Sequence, residues 1–514
     1  MTAGPSGVVG GRGGTQHNSR SRNERNDNDN DNDNNNCDKH TQHHNKQIIV
    51  IVGGGLAGLS VSLGLAQLGY RVEIVERRHD WGKRKGGTYL MQPNAVLALE
   101  QICQEAMDPL YDMGVPIPHS ECKMYAWWMV RDALLKQVML KKNNISLHMG
   151  WSFSAFEDNN PDLIKARFTR TQQTTQTQTQ QEDETQLDNE QAEDVLELTG
   201  IMVVGADGVH SAVRASLDLA PATHTGSVCW RGSISISDDD DNDDDYATNT
   251  ARQVLAPLLQ SPLLTTGKMV QGYIKCGPYC VVGLKSFHFK YPGVMTWTVN
   301  TREPEAAIKF RHPREAVGTY LASIDNNNND DDDNKKTAAL IEAVFKLADP
   351  EELSHALPFV TIALPEEKKQ DSNTTNIKEN NRNANANANS THSSNLVGWG
   401  GIGRVTLIGD AAHAMRSAGG QGGAMAFEDC VVLVRILEQT TLAASPHTTT
   451  VHPTHTRASI ESAILEFESS RLPRVRTIWK DQWERAERAY QGDFTPSRTV
   501  ADEREYQAWV DQGV

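Results

Sequence analysis

The residues best suited to chemistry fall in stretches where an apolar run gives way to glycines and an acid. The first is IIVIVGGGLAGLSVSLGLAQLGYRVEIVER, residues 48 to 77. A β-branched run, Ile48 to Val52, is followed by Gly53, Gly55 and Gly58, a helix-period segment ending at Gly69, and a second strand, Val72 to Glu76. This is G-x-G-x-x-G in a strand, turn, helix, strand context, the arrangement that binds a dinucleotide. Gly53 makes the tight turn, Gly55 lets backbone approach a pyrophosphate, and Gly58 lets helix and strand pack closely. The helix N-terminus then offers its partial positive charge to the phosphates. Glu76 closes the second strand, where a carboxylate can accept both hydroxyls of the adenosine ribose. The candidate contacts are Gly53, Gly55, Leu56, Ala57, Gly58, Glu76 and Arg77. The motif alone does not separate NAD from FAD.

Two further stretches repeat the theme. In IMVVGADGVHSAVRASL, a strand from Ile201 to Val204 ends in Gly205, Ala206, Asp207 and Gly208, with Ser211 and Arg214 on the next helix. In LIGDAAHAMRSAGGQGGAMAFED, a strand from Val405 to Ile408 delivers Asp410 into a turn of small residues. With three such fingerprints in this order, the chain resembles the FAD-dependent aromatic hydroxylases. These are single-component flavin monooxygenases that include para-hydroxybenzoate hydroxylase, salicylate hydroxylase and zeaxanthin epoxidase. LMQPNAVLALEQI, MVRDALLKQVML, HTGSVCWRGSI and ILEFESSRLPRVRTIW extend the resemblance over most of the chain outside its polar tracts, and GQGGAMAFED leans towards the zeaxanthin epoxidase branch.

The resemblance implies roles residue by residue. Asp410 becomes the acceptor for the ribityl hydroxyls of FAD, an ionised carboxylate being the stronger kind of acceptor. Gly420, Gln421 and Gly422 open a helix beside the flavin ring, where amides and the helix dipole stabilise negative charge on the reduced ring. Arg131 contacts the FAD pyrophosphate or ribityl region, and Asp207 with Arg214 support FAD and are linked to NAD(P)H binding. The implied activity is a monooxygenase. NAD(P)H reduces FAD, the reduced flavin adds dioxygen as a C4a-hydroperoxide, and one oxygen passes to an aromatic or isoprenoid small molecule by hydroxylation or epoxidation. No catalytic acid or base and no metal site is assigned.

Other residues near these motifs have plainer readings. His413 reads as a packed, hydrogen-bonded histidine, Trp399 and Arg404 as packing at the domain junction, and MYAWWM (124 to 129) as core. Arg416 reads equally as reaching the active site or solvent. The family usually carries a proline before the glycine pair, where this chain has Ser417. That departure keeps an FAD-dependent reductase or dehydrogenase in view; a separate alternative is a non-catalytic flavin-binding scaffold whose acidic and Asn-rich tracts make the contacts. A halogenase would need a Trp-x-Trp-x-x-Pro segment, which the sequence lacks.

The elements that must position these residues define an α/β chain: a Rossmann-like FAD-binding domain, discontinuous in sequence, with a mixed-sheet α+β substrate domain and disordered polar inserts. The expected divisions are a disordered tail at 1–45, FAD-binding parts at 46–225 and 400–492, a substrate domain at 226–399 between them, and a tail at 493–514. Substrate-domain strands are expected at Val228 to Ile236, Met269 to Lys275, Cys280 to Leu284 and Val294 to Val299, and a helix at Lys336 to Leu347 with one apolar face. Residues 171–192 fall between strands ending near Phe168 and starting at Val195, where a hairpin tip tolerates length.

Composition narrows the class. The 514 residues carry a formal charge of −16, but fifteen aspartates sit in tracts at 27–33, 238–245 and 330–333, so the folding part is near neutral. Acidic tracts argue against nucleic acid as a partner. Seven cysteines without a Cys-x-x-Cys pair fit a reducing compartment, with the cytoplasm as default and an organelle not excluded. The uncharged run Ile48 to Ala66 has the length of a membrane span, but its glycines favour strand and turn.

Overall fold

The computed structural model describes residues 47–81, 87–117, 121–171, 194–235, 250, 253–254, 270–276, 280–289, 294–302, 314–315, 342–354, 357–365, 398–416, 419–444, 455–491, 505, 508–510 and 512. The Asn-, Asp- and Gln-rich tracts and Ser417 lie outside them. So does the first half of the helix expected from Lys336; it is described at 342–347, with Val344 buried and Leu347 half-buried.

A run of β-branched residues buried on both faces belongs in the middle of a parallel sheet. Strand β1 (Ile48–Val52) takes that place, between β2 (Arg71–Glu76) and β10 (Met202–Gly205); β6 (Ile145–Met149) and β16 (Val405–Leu407) complete the order β16-β10-β1-β2-β6. All four pairings are parallel. Register sets Val52 opposite Gly205 and Gly205 opposite Leu407. The three fingerprints, far apart in sequence, therefore end side by side at the carboxyl edge of one sheet, where α/β proteins bind ligands.

The apolar run that follows β1 is helix α1 (Leu56–Gln67), with ten of its 12 residues buried. It is sealed by protein, and no described helix is long and apolar enough to cross a membrane. The two glycines that matter here are steric. A Cβ at Gly58 would lie 1.9 Å from the Gly53 carbonyl oxygen, and one at Gly53, whose φ is +105°, would lie 2.5 Å from the Ala206 oxygen. Around α1 pack α2 (Pro93–Met113), α3 (Trp127–Leu140) and the long α7 (Gln421–Ala444), with α8 (Arg457–Gln491) against α7. The short helices are α4 (Ala212–Ser216), α5 (Pro350–Ser354) and α6 (Asp410–His413).

The antiparallel sheet β12-β13-β14-β11-β15 supplies the second layer, from β11 (Thr223–Ser235), β12 (Val270–Cys276), β13 (Cys280–Phe289), β14 (Val294–Arg302) and β15 (Leu357–Thr361). Each expected strand is present, with β13 and β14 longer than their apolar runs. In β11 the two-residue period buries Trp230 and Ile234 on one face and leaves Arg231 exposed on the other. Trp297 and Phe345 close that core edge-to-face, 6.1 Å apart. Two small sheets remain. One is β3 (Thr88–Met91), β5 (Lys123–Ala126) and β4 (Val115–Pro116); the other is β7 (Trp151–Glu157), β8 (Ile164–Arg170) and β9 (Val195–Gly200), with β8 and β9 paired antiparallel as the hairpin reading requires. Cys103, Cys122, Cys229 and Cys430 are free thiols.

Candidate functional site

Around the first fingerprint the glycines leave room. Gly55 caps α1 with no side-chain hydrogen bond, so the first-turn amides have no protein acceptor from the cap. A Cβ at Gly55 would meet nothing within 4 Å, and the same holds at Gly208, whose φ is +81°. Leu56 is buried and Ala57 half-buried at the start of the helix, and Arg77 is exposed. Glu76 does more than the ribose reading foresaw: its Oε2 accepts from Gly54 N at 2.8 Å and its Oε1 from Arg78 N at 3.0 Å. It therefore shapes the glycine loop, with a second lone pair on each oxygen left for a ligand.

Arg131 is buried beside that loop and tied to protein. Its Nε and Nη2 donate to Asp132 at 2.9 and 2.6 Å, its Nη1 donates to the Trp81 carbonyl at 3.0 Å, and its guanidinium lies 5.9 and 5.7 Å from the Trp81 and Trp127 rings. Trp81 in turn covers Gly54, where a Cβ would meet it at 2.5 Å. Arg131 thus reaches the cradle through Trp81.

The second fingerprint is a stitching device. Asp207 Oδ2 accepts from Ala212 N and Val213 N at 2.7 and 3.3 Å and caps α4, together with Ser211 Oγ, which accepts from Arg214 N at 2.9 Å. Burial raises the Asp207 pKa, the capping bonds opposing it. Arg214 donates to the Ala220 carbonyl at 2.7 Å and to those of Ala411 and Ala412 at 3.3 and 3.4 Å, joining the second fingerprint to the third; burial lowers its pKa.

In the third fingerprint Gly409, at φ +59°, turns the chain and Asp410 opens α6. The carboxylate is reached by solvent and has no hydrogen-bond partner among the described residues, yet the protein around it is dense enough that desolvation raises its pKa against the opposing charges of His413 and Arg231. It faces the start of α7: a Cβ at Gly422 would lie 3.9 Å from Asp410 Oδ1. Gly420, at φ +72°, packs on Leu90. Gln421 is committed to the turn, donating to Gln92 Oε1 at 2.7 Å and accepting from Asn94 Nδ2 at 3.1 Å. His413 is a packed histidine, bonded to Asp429 at 2.6 Å and set edge-on to Trp399. Trp399 and Arg404 are buried, with Arg404 donating to Asp158 at 2.9 Å. Arg416 reaches neither the site nor solvent. It pairs with Glu487, donates to the Thr225 carbonyl at 2.9 Å and lies 3.8 Å from the Trp483 ring.

Two functional neighbours were missed in the sequence. Asp429 accepts from Gly409 N at 2.9 Å, His413 at 2.6 Å and Arg471 at 2.8 Å, and so holds the turn that carries Asp410. Burial would raise its pKa, but His413 and Arg471 outweigh burial and lower it. Arg231 lays its stem on Gly87, where a Cβ would meet its Cδ at 2.6 Å, and its charge is felt at Asp410. Its signal was a lone arginine between Trp230 and Gly232 in a strand with no other charged side chain among residues 225–235. A surface groove of about 440 Å³ between Gly401–Gly403 and Arg457–Glu468 contains none of these residues.

These features fit FAD: an uncapped helix with open space at Gly55, a solvent-reached acceptor at Asp410, and glycines at the head of α7. A profile described as an FAD binding domain matches residues 368–465, and one described as an NAD(P)-binding Rossmann-like domain matches 51–85. The chain is 22% identical over 439 residues to the FAD-dependent monooxygenase cle3 of Aspergillus versicolor, covering 84% of this chain and 74% of that protein. It is 41% identical over 78 residues to the chloroplastic zeaxanthin epoxidase of Nicotiana plumbaginifolia, covering 15% and 11% of the two chains. The fold matches Klebsiella pneumoniae HpxO complexed with FAD and uric acid (TM-score 0.54, 17% identity, 91% and 93% coverage) and CtdE in complex with FAD (0.57, 14%, 91% and 98%). The molecule is thus a flavoprotein with a Rossmann-like FAD-binding fold. The chain is an FAD-dependent monooxygenase, similar to those of the aromatic-hydroxylase type.

Proposed function

We propose that this monooxygenase uses NAD(P)H and dioxygen to hydroxylate or epoxidise an aromatic or isoprenoid small molecule in the cleft between the carboxyl edge of the parallel sheet and the Arg231 face of β11. The observation that carries this reading is Asp410, an acid reached by solvent and without a hydrogen-bond partner among the described residues, facing the glycines that open α7. Bound FAD supplies electron transfer from NAD(P)H and the activation of oxygen. The chain's residues supply place and charge. Gly55 and the first-turn amides of α1 would hold the pyrophosphate, with Leu56 and Ala57 behind them. Glu76 would meet the ribose, Asp410 would accept from the ribityl hydroxyls, and the amides of Gly420, Gln421 and Gly422 would serve the flavin ring, where donors stabilise developing negative charge. Asp207 and Arg214 keep the second and third fingerprints in register. Arg231 brings a cation from the other sheet to the same cleft.

Uric acid in the HpxO complex and the zeaxanthin epoxidase relative support small, unsaturated substrates of both kinds. The test is oxygen uptake by the FAD-loaded enzyme with NADH or NADPH over a panel of phenols, heteroaromatics and carotenoids, run under ¹⁸O₂. One labelled oxygen in a product establishes the reaction. NAD(P)H oxidation that never labels any compound would move the reading to a reductase.

A further inference from the structure

Glu428, on α7, is fully buried and accepts four hydrogen bonds: from Arg471 Nη1 at 2.8 Å, Arg474 Nε and Nη2 at 2.7 Å each, and Asn94 Nδ2 at 2.8 Å. Asn94 passes the contact on, donating also to Gln421 Oε1 at 3.1 Å; Gln421 donates to Gln92 at 2.7 Å, and Gln92 to the Gly419 carbonyl. The path therefore ends in the turn that opens α7. At its other end Arg474 donates to the carbonyls of Trp509 at 3.2 Å and Val510 at 2.8 Å, and its guanidinium lies 4.7 Å from the Trp509 ring. Val510 is only 1% exposed. These residues fall in the stretch 493–514, which the sequence marks as a tail; at this point it is docked.

We propose that Glu428 and Arg474 are positioning residues for the flavin-facing end of α7, and that the Trp509–Val510 segment is part of the same device. An arginine has five N–H donors in a fixed fork. Two of them grip Glu428, and the C-terminal carbonyls take others that would otherwise draw water and turn the guanidinium. With the segment in place, Glu428 is held on both oxygens, Asn94 has one orientation, and Gln421 keeps the α7 turn closed. This rests on the reading that α7 begins at the flavin.

The experiment uses FAD-loaded full-length enzyme, a variant lacking 505–514, Arg474→Lys and Val510→Asp, which sets a competing carboxylate beside Arg474. FAD release is followed by its fluorescence on dilution, alongside the visible flavin spectrum and midpoint potential. Each variant should release FAD about tenfold faster with a displaced flavin band, and Arg474→Lys should add little in the truncated background because both act through one pair. A peptide of residues 501–514 should restore the truncated enzyme but not Arg474→Lys. Wild-type release, spectrum and potential in Arg474→Lys and Val510→Asp would overturn the proposal. So would a lowered melting temperature with flavin properties intact, or effects that multiply in the double variant. Where truncation prevents folding, Val510→Asp in the full chain decides. Asp410→Ala separates the two readings: full FAD retention there sinks the site itself, whereas FAD loss there with unchanged Arg474→Lys sinks only the positioning role.

Discussion

Acids and guanidinium groups occur in two settings in this molecule, with opposite fates. Inside, Asp429 and Glu428 are fully buried and every oxygen is taken by Arg471, Arg474, His413, Asn94 or a backbone amide. At the candidate site, Asp410 and Arg231 have no hydrogen-bond partners among the described residues and are reached by solvent. The pKa directions follow: Asp429 is lowered because His413 and Arg471 outweigh burial, and Asp410 is raised because desolvation outweighs His413 and Arg231. The difference teaches which charges hold the fold and which are left for a ligand, since buried polar groups that serve structure are satisfied by the protein itself.

Five tests can break or sharpen that contrast. The largest is Arg471→Met, which takes from two buried carboxylates the cation they share and should cost about 3–5 kcal/mol in urea unfolding; unchanged stability would dissolve the distinction. Asp410→Ala removes no protein contact, so the apo-protein's stability should move by no more than ~0.5 kcal/mol. Its FAD affinity should fall roughly 10- to 100-fold, the loss of hydrogen bonds to a charged acceptor, read by equilibrium titration.

Gly58→Ala and Gly55→Ala form a matched pair. The first drives a Cβ to 1.9 Å from the Gly53 oxygen, while the second meets nothing within 4 Å. Gly58→Ala should lose about 1–3 kcal/mol of stability, whereas Gly55→Ala should keep its melting temperature and lose FAD. Arg231→Gln should retain FAD and fold but lower kcat roughly tenfold, ~1.4 kcal/mol of barrier, with Arg231→Lys partly restoring it. Smallest is the effect of His455, which packs on Tyr70; burial lowers the His455 pKa from 6.5 to about 4. The folded state keeps it neutral, so the unfolded chain binds the proton first as pH falls. The stability it contributes is present above about pH 6.5 and is lost progressively towards pH 4. His455→Gln should flatten that part of the unfolding curve without changing FAD titration.

The sequence alone determined what is local. β1, its glycine turn and α1 were readable almost to the residue, because β-branched runs, helix period and the steric demand for glycine act between near neighbours. The same holds for the hairpin β8–β9, the strands of the second sheet and the packed character of His413. What only the tertiary structure decided is long-range: that the carboxyl ends of β1, β10 and β16 are neighbours, that Asp207 and Arg214 spend their bonds on α4 and α6, and that Arg416 is pinned by Glu487 and Trp483. It also decided that Asp429 rather than solvent faces Gly409, and that the presumed tail docks on Arg474. An acid reads the same in sequence whether it ends up saturated or open, because its role depends on which distant donors packing brings within about 3 Å.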